Sequence, residues 1–195
     1  MKEPNFKRNE MSKNMKKAAL LLVLLLALTS CNSHQITYNK FTFSYPDSYI
    51  MDDIEKYADQ RYYTMVKEDD PLNFVHVDVM PDYVAQCGAT DPTNLDICQH
   101  MLLLIDDLAN FYFFEDEDVQ PDEDFGFTIK TPESEEDIPN ATAELRGTRY
   151  SRPFRAYFAA DLWGDNMVVT LMCASDDNEF KKQIQEFFQT YEWHE

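Results

Sequence analysis

The residues most able to do chemistry are few and scattered. His76 and Asp78 lie two apart in an alternating apolar segment, so a strand would set both on one face. An imidazole beside a carboxylate can act as an oriented base or supply one corner of a metal site. No third ligand can be named for such a metal, and the plainer reading is a surface His beside an Asp. His100 is two residues from Cys98, a spacing that does not align them on one helix face. Arg146, Arg149, Arg152 and Arg155 concentrate positive charge on an acidic chain and could receive a carboxylate or phosphate. Their spacing of three does not hold them on one strand face, and ion pairing with the protein's own acids is the simpler expectation. The acidic run Glu115-Asp116-Glu117-Asp118, with Asp122-Glu123-Asp124, invites a calcium reading, but Gly126 falls in the wrong place for an EF-hand loop. A solvated acidic loop is the default. No Gly-x-Ser-x-Gly, HExxH, Walker or dinucleotide fingerprint is present, and the whole chain holds only 4 glycines. No catalytic residue, metal or cofactor is therefore expected.

The N-terminus carries a different kind of information. Met15-Lys16-Lys17 is a basic start, and Ala18 to Leu28 is an unbroken apolar run. That order is the order of a secretory signal, and the run is shorter than the ~20 residues needed to span a bilayer. Leu28-Thr29-Ser30-Cys31 follows and resembles a lipobox, the site read by bacterial lipoprotein signal peptidase. The resemblance implies that the Cys31 thiol, a nucleophile that forms a stable thioether, receives a diacylglyceryl group. It further implies that the chain is cut between Ser30 and Cys31, leaving a lipid anchor with fatty-acyl groups such as palmitate. Residues 1–14 are polar and mixed in charge and fit no such signal, so the true start is expected at Met11 or Met15.

Cleavage would leave residues 31–35 as a lipidated tether and 36–195 as one domain. The whole chain has 17 Lys plus Arg and 36 Asp plus Glu. Residues 1–30 contain six of the former and two of the latter, so the remainder has 11 and 34, near −23. That charge repels phosphate backbones and anionic lipid alike, which excludes nucleic acid and leaves membrane attachment to acyl chains. In an oxidising compartment the remaining cysteines invite a disulfide between Cys87 and Cys98, with Cys173 a buried thiol in a strand; three unpaired thiols are the alternative.

The pattern that must position these residues is strands, helix, strands, helix. Ile36 to Tyr45 alternates, with Phe41, Phe43 and Tyr45 on one side, and Pro46-Asp47 ends it. A short extended piece, Tyr49 to Asp52, follows. Arg61–Lys67 and Leu72–Met80 form a hairpin in which Val75, Val77 and Val79 share a face. Asp91-Pro92 opens a helix to about Phe113, with Met101, Ile105, Leu108 and Tyr112 in one stripe. Phe125–Lys130, Ala141–Tyr150, Phe154–Trp163 and Met167–Ala174 read as strands, the last two joined at Gly164-Asp165-Asn166. Asp176 with Glu179 three residues on is a capping box for a final helix bearing Phe180, Ile184, Phe187, Phe188 and Tyr191. The class is α+β, an antiparallel sheet with two main helices packed on it.

The opening Phe41-Thr42-Phe43-Ser44-Tyr45-Pro46-Asp47-Ser48-Tyr49, together with the closing hairpin and the helix from Phe180, is similar to the PsbP-like fold over about residues 36–193. That resemblance implies binding and assembly roles rather than catalysis. The expectation is a non-catalytic binding or assembly module held on the bilayer through acylated Cys31, with an envelope protein as its partner. Absence of acidic residues in Asn32-Ser33-His34-Gln35 points to the periplasmic side, and the expected location is the bacterial cell envelope, lipid-anchored at the outer membrane and facing the periplasm. The alternatives are an enzyme with a dispersed site, and a calcium or small-ligand carrier using the acidic loops or the Arg cluster.

Overall fold

The computed structural model describes residues 33–86, 95–122, 126–130 and 139–194. Cys31, the apolar run before it and Cys87 lie outside the described residues. The chain divides into a unit of Met1–His34 and a unit of Gln35–Glu195, and both hydrophobic cores belong to the second.

Alternation builds most of that second unit. Strands β1 (Ser33–Tyr38) and β2 (Phe41–Pro46) come from the segment expected to be one strand. The break is at Asn39 and Lys40, both at positive φ (43° and 69°), the backbone of a tight hairpin turn. Next come β3 (Tyr49–Tyr57), longer than expected, then β4 (Gln60–Lys67) and β5 (Asp70–Met80). A single helical turn, α1 (Tyr83–Gln86), precedes α2, described over Leu95–Ala109, which ends in one turn of π-helix at Asn110–Phe114. The strands β6 (Val119–Pro121), β7 (Gly126–Lys130), β8 (Asn140–Arg149), β9 (Arg152–Trp163) and β10 (Asn166–Ala174) follow. Helix α3 (Asp177–Glu186), a 3₁₀ turn at Phe188–Thr190 and the short β11 (Glu192–Trp193) complete the chain.

The main sheet is antiparallel in the order β3-β4-β5-β10-β9-β8-β6, with β7 also on β8; β1-β2-β11 form a small second sheet. The architecture is therefore α+β, as the pattern of elements requires. Odd and even positions of β5 divide between two cores. Val75, Val77 and Val79 belong to a cluster with Phe41, Phe43, Phe187 and Tyr191, under the small sheet and the C-terminal segment. Phe74 and Met80 face the other way and join Ile97, Met101 and Ile105 of α2. Each fully buried Phe or Ile contributes ~1.5–3 kcal/mol, so both faces of the sheet are firmly covered.

Helix α3 starts as its sequence dictates. The Asp176 carboxylate accepts the N–H groups of Asn178 (2.8 Å) and Glu179 (2.9 Å). The helix is then fixed to the sheet by buried Gln183, whose Nε2 donates to the Tyr49 hydroxyl (3.0 Å) and the Cys173 carbonyl (2.8 Å). Helix α2 buries Ile97, Met101, Ile105, Ala109 and Phe113, a stripe rotated from the expected one. Leu108 and Tyr112, placed by periodicity in that stripe, are only partly buried. They sit at the helix flank, where the site lies.

Candidate ligand-binding cleft

His76 and Asp78 do share one face of β5, but it is not a surface face. They are 5% and 4% exposed, so the expected surface pair is overturned. The reason is α2, which packs over the same sheet face. Strand register sets their surroundings in two rungs. One rung runs Asp53–Thr64–His76–Leu171, and the next runs Glu55–Tyr62–Asp78–Val169. Between these strands and α2 lies a cleft of about 520 Å³, whose lining includes His76, Asp78, Tyr62, Tyr112, Phe111 and Asp107. A second hollow of about 410 Å³ shares Thr64 and Tyr112 with it. The first volume is in the range of small-molecule sites.

The rim depends on an irregularity in β3. Met51 pairs with Met65, but the register then shifts and Asp53 pairs with Thr64. Met65 belongs to the opposite core, so regular alternation would carry Asp53 and Glu55 there with Met51. The bulge at Asp52 turns both carboxylates toward the cleft instead.

At the floor, His76 Nδ1 lies 3.0 Å from the Tyr112 hydroxyl and 3.0 Å from Thr64 Oγ1. Burial lowers the imidazole pKa to about 4, so the ring is neutral at pH 7. Nε2 of the same ring is buried and meets no hydrogen-bond partner among the described residues. Burial acts oppositely on Asp78 and raises its pKa to about 8. Asp78 Oδ1 is also buried, with no partner among the described residues. Such orphans cost roughly 1–3 kcal/mol each and are uncommon in a settled core. The floor thus offers a neutral imidazole and a largely protonated carboxyl, two groups able to donate, accept or exchange a proton with a guest.

The arginines are engaged elsewhere. Arg152 makes a bidentate pair with Asp70 (3.0 and 2.8 Å). Arg155 binds Glu144 (2.9 Å) and Asp177 (3.0 Å) and lies 4.3 Å over the Phe180 ring. Arg149 meets Asp116 at 2.7 Å, and Arg146 approaches Glu144 at 3.8 Å. They flank the β8–β9 turn at Tyr150-Ser151, with Arg146 opposite Arg155 and Arg149 opposite Arg152. The acidic loop is partly self-contained too, since Asp116 also accepts the Asp118 N–H (2.9 Å). Among the described residues no group of three or more His, Cys, Asp or Glu side chains could hold a metal ion. Among the described residues Cys98 and Cys173 are buried and form no disulfide, and burial pushes the Cys173 thiol up to about 12; the pairing expected of Cys98 involves Cys87, outside the described residues. No described helix is long and apolar enough to cross a membrane.

Tyr62, Thr64, Tyr112 and the rim acids Asp53, Glu55 and Asp107 were not candidates from the sequence. The hairpin register could have placed Tyr62 and Thr64 beside Asp78 and His76. The bulge and the π turn that place the others leave no such signal.

No protein-family model and no curated protein matches the chain. Among solved structures it is similar to the PsbP protein of Synechocystis sp. PCC 6803, with 11% identity, a TM-score of 0.49, and coverage of 84% of this chain and 93% of that one. It is also similar to a protein from Bacteroides thetaiotaomicron VPI-5482, with 10% identity, a TM-score of 0.46, and coverage of 84% and 48%. Neither score reaches the level at which a shared fold can be argued, and identities this low carry no function.

Proposed function

We propose that this protein is a lipid-anchored envelope lipoprotein whose globular part is a non-catalytic binding module for a small molecule. The ligand occupies the cleft between β4, β5 and α2. One observation carries the binding half of this reading: His76 Nε2 and Asp78 Oδ1 are buried, have no hydrogen-bond partner among the described residues, and belong to residues that line one cleft. The anchoring half rests on Leu28-Thr29-Ser30-Cys31 and the apolar run before it. This differs from a carrier that uses the acidic loops or the arginines, because those arginines pair with the protein's own carboxylates. Export to the periplasmic face of the outer membrane is part of the same reading.

Native mass spectrometry of the detergent-solubilised protein, purified from its own envelope, tests it. The expected result is a small-molecule adduct of constant mass that is absent from a Leu104→Trp variant, in which a large ring enters the cleft. Recovery of the same unaltered compound after incubation supports binding without catalysis. A wild-type protein with no adduct, or an adduct retained by the variant, overturns the cleft; conversion of the compound to another mass favours an enzyme.

A further inference from the structure

We propose that the cleft selects a small organic cation, an amine carried on an apolar body. The inference rests on the cleft being a ligand site and names the chemistry of its guest. Among the described residues four carboxyl groups line the cleft, those of Asp53, Glu55, Asp78 and Asp107, and no Lys or Arg does. Acidic residues alone would say little on a chain this acidic. Here they coincide with the unpartnered Asp78 Oδ1, on a side chain 4% exposed, at the cleft floor.

The walls agree with the charge. Tyr62 and Tyr112 flank His76, with ring centroids 6.2 and 5.4 Å from the imidazole. Phe111 stands edge-on to Tyr112 at 5.0 Å and is 69% exposed, a large apolar ring left at the mouth. Aromatic faces attract organic cations and also cover an apolar body, a combination that a hydrated metal ion or an anion does not use. The rim acids Asp53, Glu55 and Asp107 are exposed, so they attract a cation without being buried by it. A cation seated near Asp78 would also remove the reason for that carboxyl to stay protonated, giving a buried charge its partner.

Equilibrium dialysis with three matched probes tests the inference at pH 7: phenethylamine (cationic), 2-phenylethanol (neutral) and 3-phenylpropionate (anionic). The full chain is held in phosphatidylcholine nanodiscs, and empty nanodiscs provide the reference. Phenethylamine is expected to bind about tenfold more tightly than the alcohol, and the carboxylate more weakly still. Glu55→Gln and Asp107→Asn, both at exposed positions, are each expected to weaken the amine about threefold and leave the alcohol unchanged. Equal binding of amine and alcohol, or preferred binding of the carboxylate, overturns the cationic guest while the cleft stands as a site. Absence of binding by all three probes above empty nanodiscs overturns both readings.

Discussion

The Tyr112 hydroxyl lies 3.0 Å from His76 Nδ1, and this contact joins the π turn after α2 to the centre of the main sheet. Thr64 Oγ1 reaches the same nitrogen at 3.0 Å. Two hydroxyls on one buried nitrogen make either partly redundant. Tyr112→Phe and Thr64→Val are therefore each expected to cost about 1 kcal/mol or less in urea unfolding. The double substitution leaves Nδ1 with no partner and is expected to exceed the sum of the singles by roughly 1 kcal/mol. Strict additivity in that cycle would mean that the two hydroxyls do not share His76.

The opposed shifts of His76 and Asp78 make a pH signature. Folded His76 titrates near 4, below the ordinary histidine value, so it contributes stability that rises with pH from about 4 to 6.5. Folded Asp78 titrates near 8, above the ordinary carboxylate value, so stability falls as pH rises from about 4 to 8. The two oppose each other up to pH 6.5, and above it Asp78 acts alone. The titratable groups that line the cleft with it are Asp53 and Glu55 from β3, Tyr62 from β4, His76 from its own strand, Tyr83 from α1, and Asp107 and Tyr112 from the helix side. Unfolding free energy is expected to fall by up to ~2 kcal/mol between pH 6.5 and 8. Asp78→Asn should flatten that decline, as measured by urea denaturation at each pH. A variant with the wild-type slope would assign the decline to another group.

The site and the scaffold differ in how far sequence reveals them. Alternation over Phe41–Tyr45 and Leu72–Met80 and the Asp176 cap are local patterns, and local patterns survive into the structure. The class α+β follows from them. His76 and Asp78 were visible as a pair on one strand face, yet their burial was not, because it depends on where α2 crosses the sheet. Asp53 and Glu55 reach the cleft through a one-residue bulge, and no residue type near Asp52 announces a bulge. Tyr112 leaves the buried helix stripe because that stripe runs Ile105, Ala109, Phe113, at four-residue steps into a π turn. Periodicity at 3.6 cannot anticipate that drift. The Arg cluster shows the reverse case: conspicuous in sequence, it is occupied in the structure by Asp70, Asp116, Glu144 and Asp177.

Gly147 controls the far edge of the sheet. A Cβ there would lie 2.3 Å from the Gln120 carbonyl oxygen and 2.9 Å from the Pro121 Cα. Both are backbone atoms of β6, which pairs with β8 at this point, so no side chain can rotate away. Gly147→Ala is expected to push β6 off β8 and cost roughly 1–3 kcal/mol, read as a lower melting temperature. Hydrogen exchange should locate the damage at the Asp122 N–H, which bonds the Arg146 carbonyl at 2.7 Å in the wild type. An unchanged melting temperature would show that β6 yields freely.

Anchoring can be separated from folding, because Cys31 lies before Gln35–Glu195, the unit that contains both cores. In the proposed reading the mature chain is strongly acidic and anionic lipid repels it, so attachment would rest on the acyl chains. At ~0.8 kcal/mol per buried methylene, one chain binds marginally and two suffice. Cys31→Ala is therefore expected to abolish incorporation of radiolabelled palmitate and block cleavage after Ser30, while the melting temperature of the globular unit stays unchanged. Palmitate labelling that persists in this variant would place the lipid elsewhere and remove the basis for the anchor. Labelling that is lost while the mature chain still forms at its normal size would mean that an ordinary signal peptidase cuts here and that Cys31 is not the lipobox cysteine.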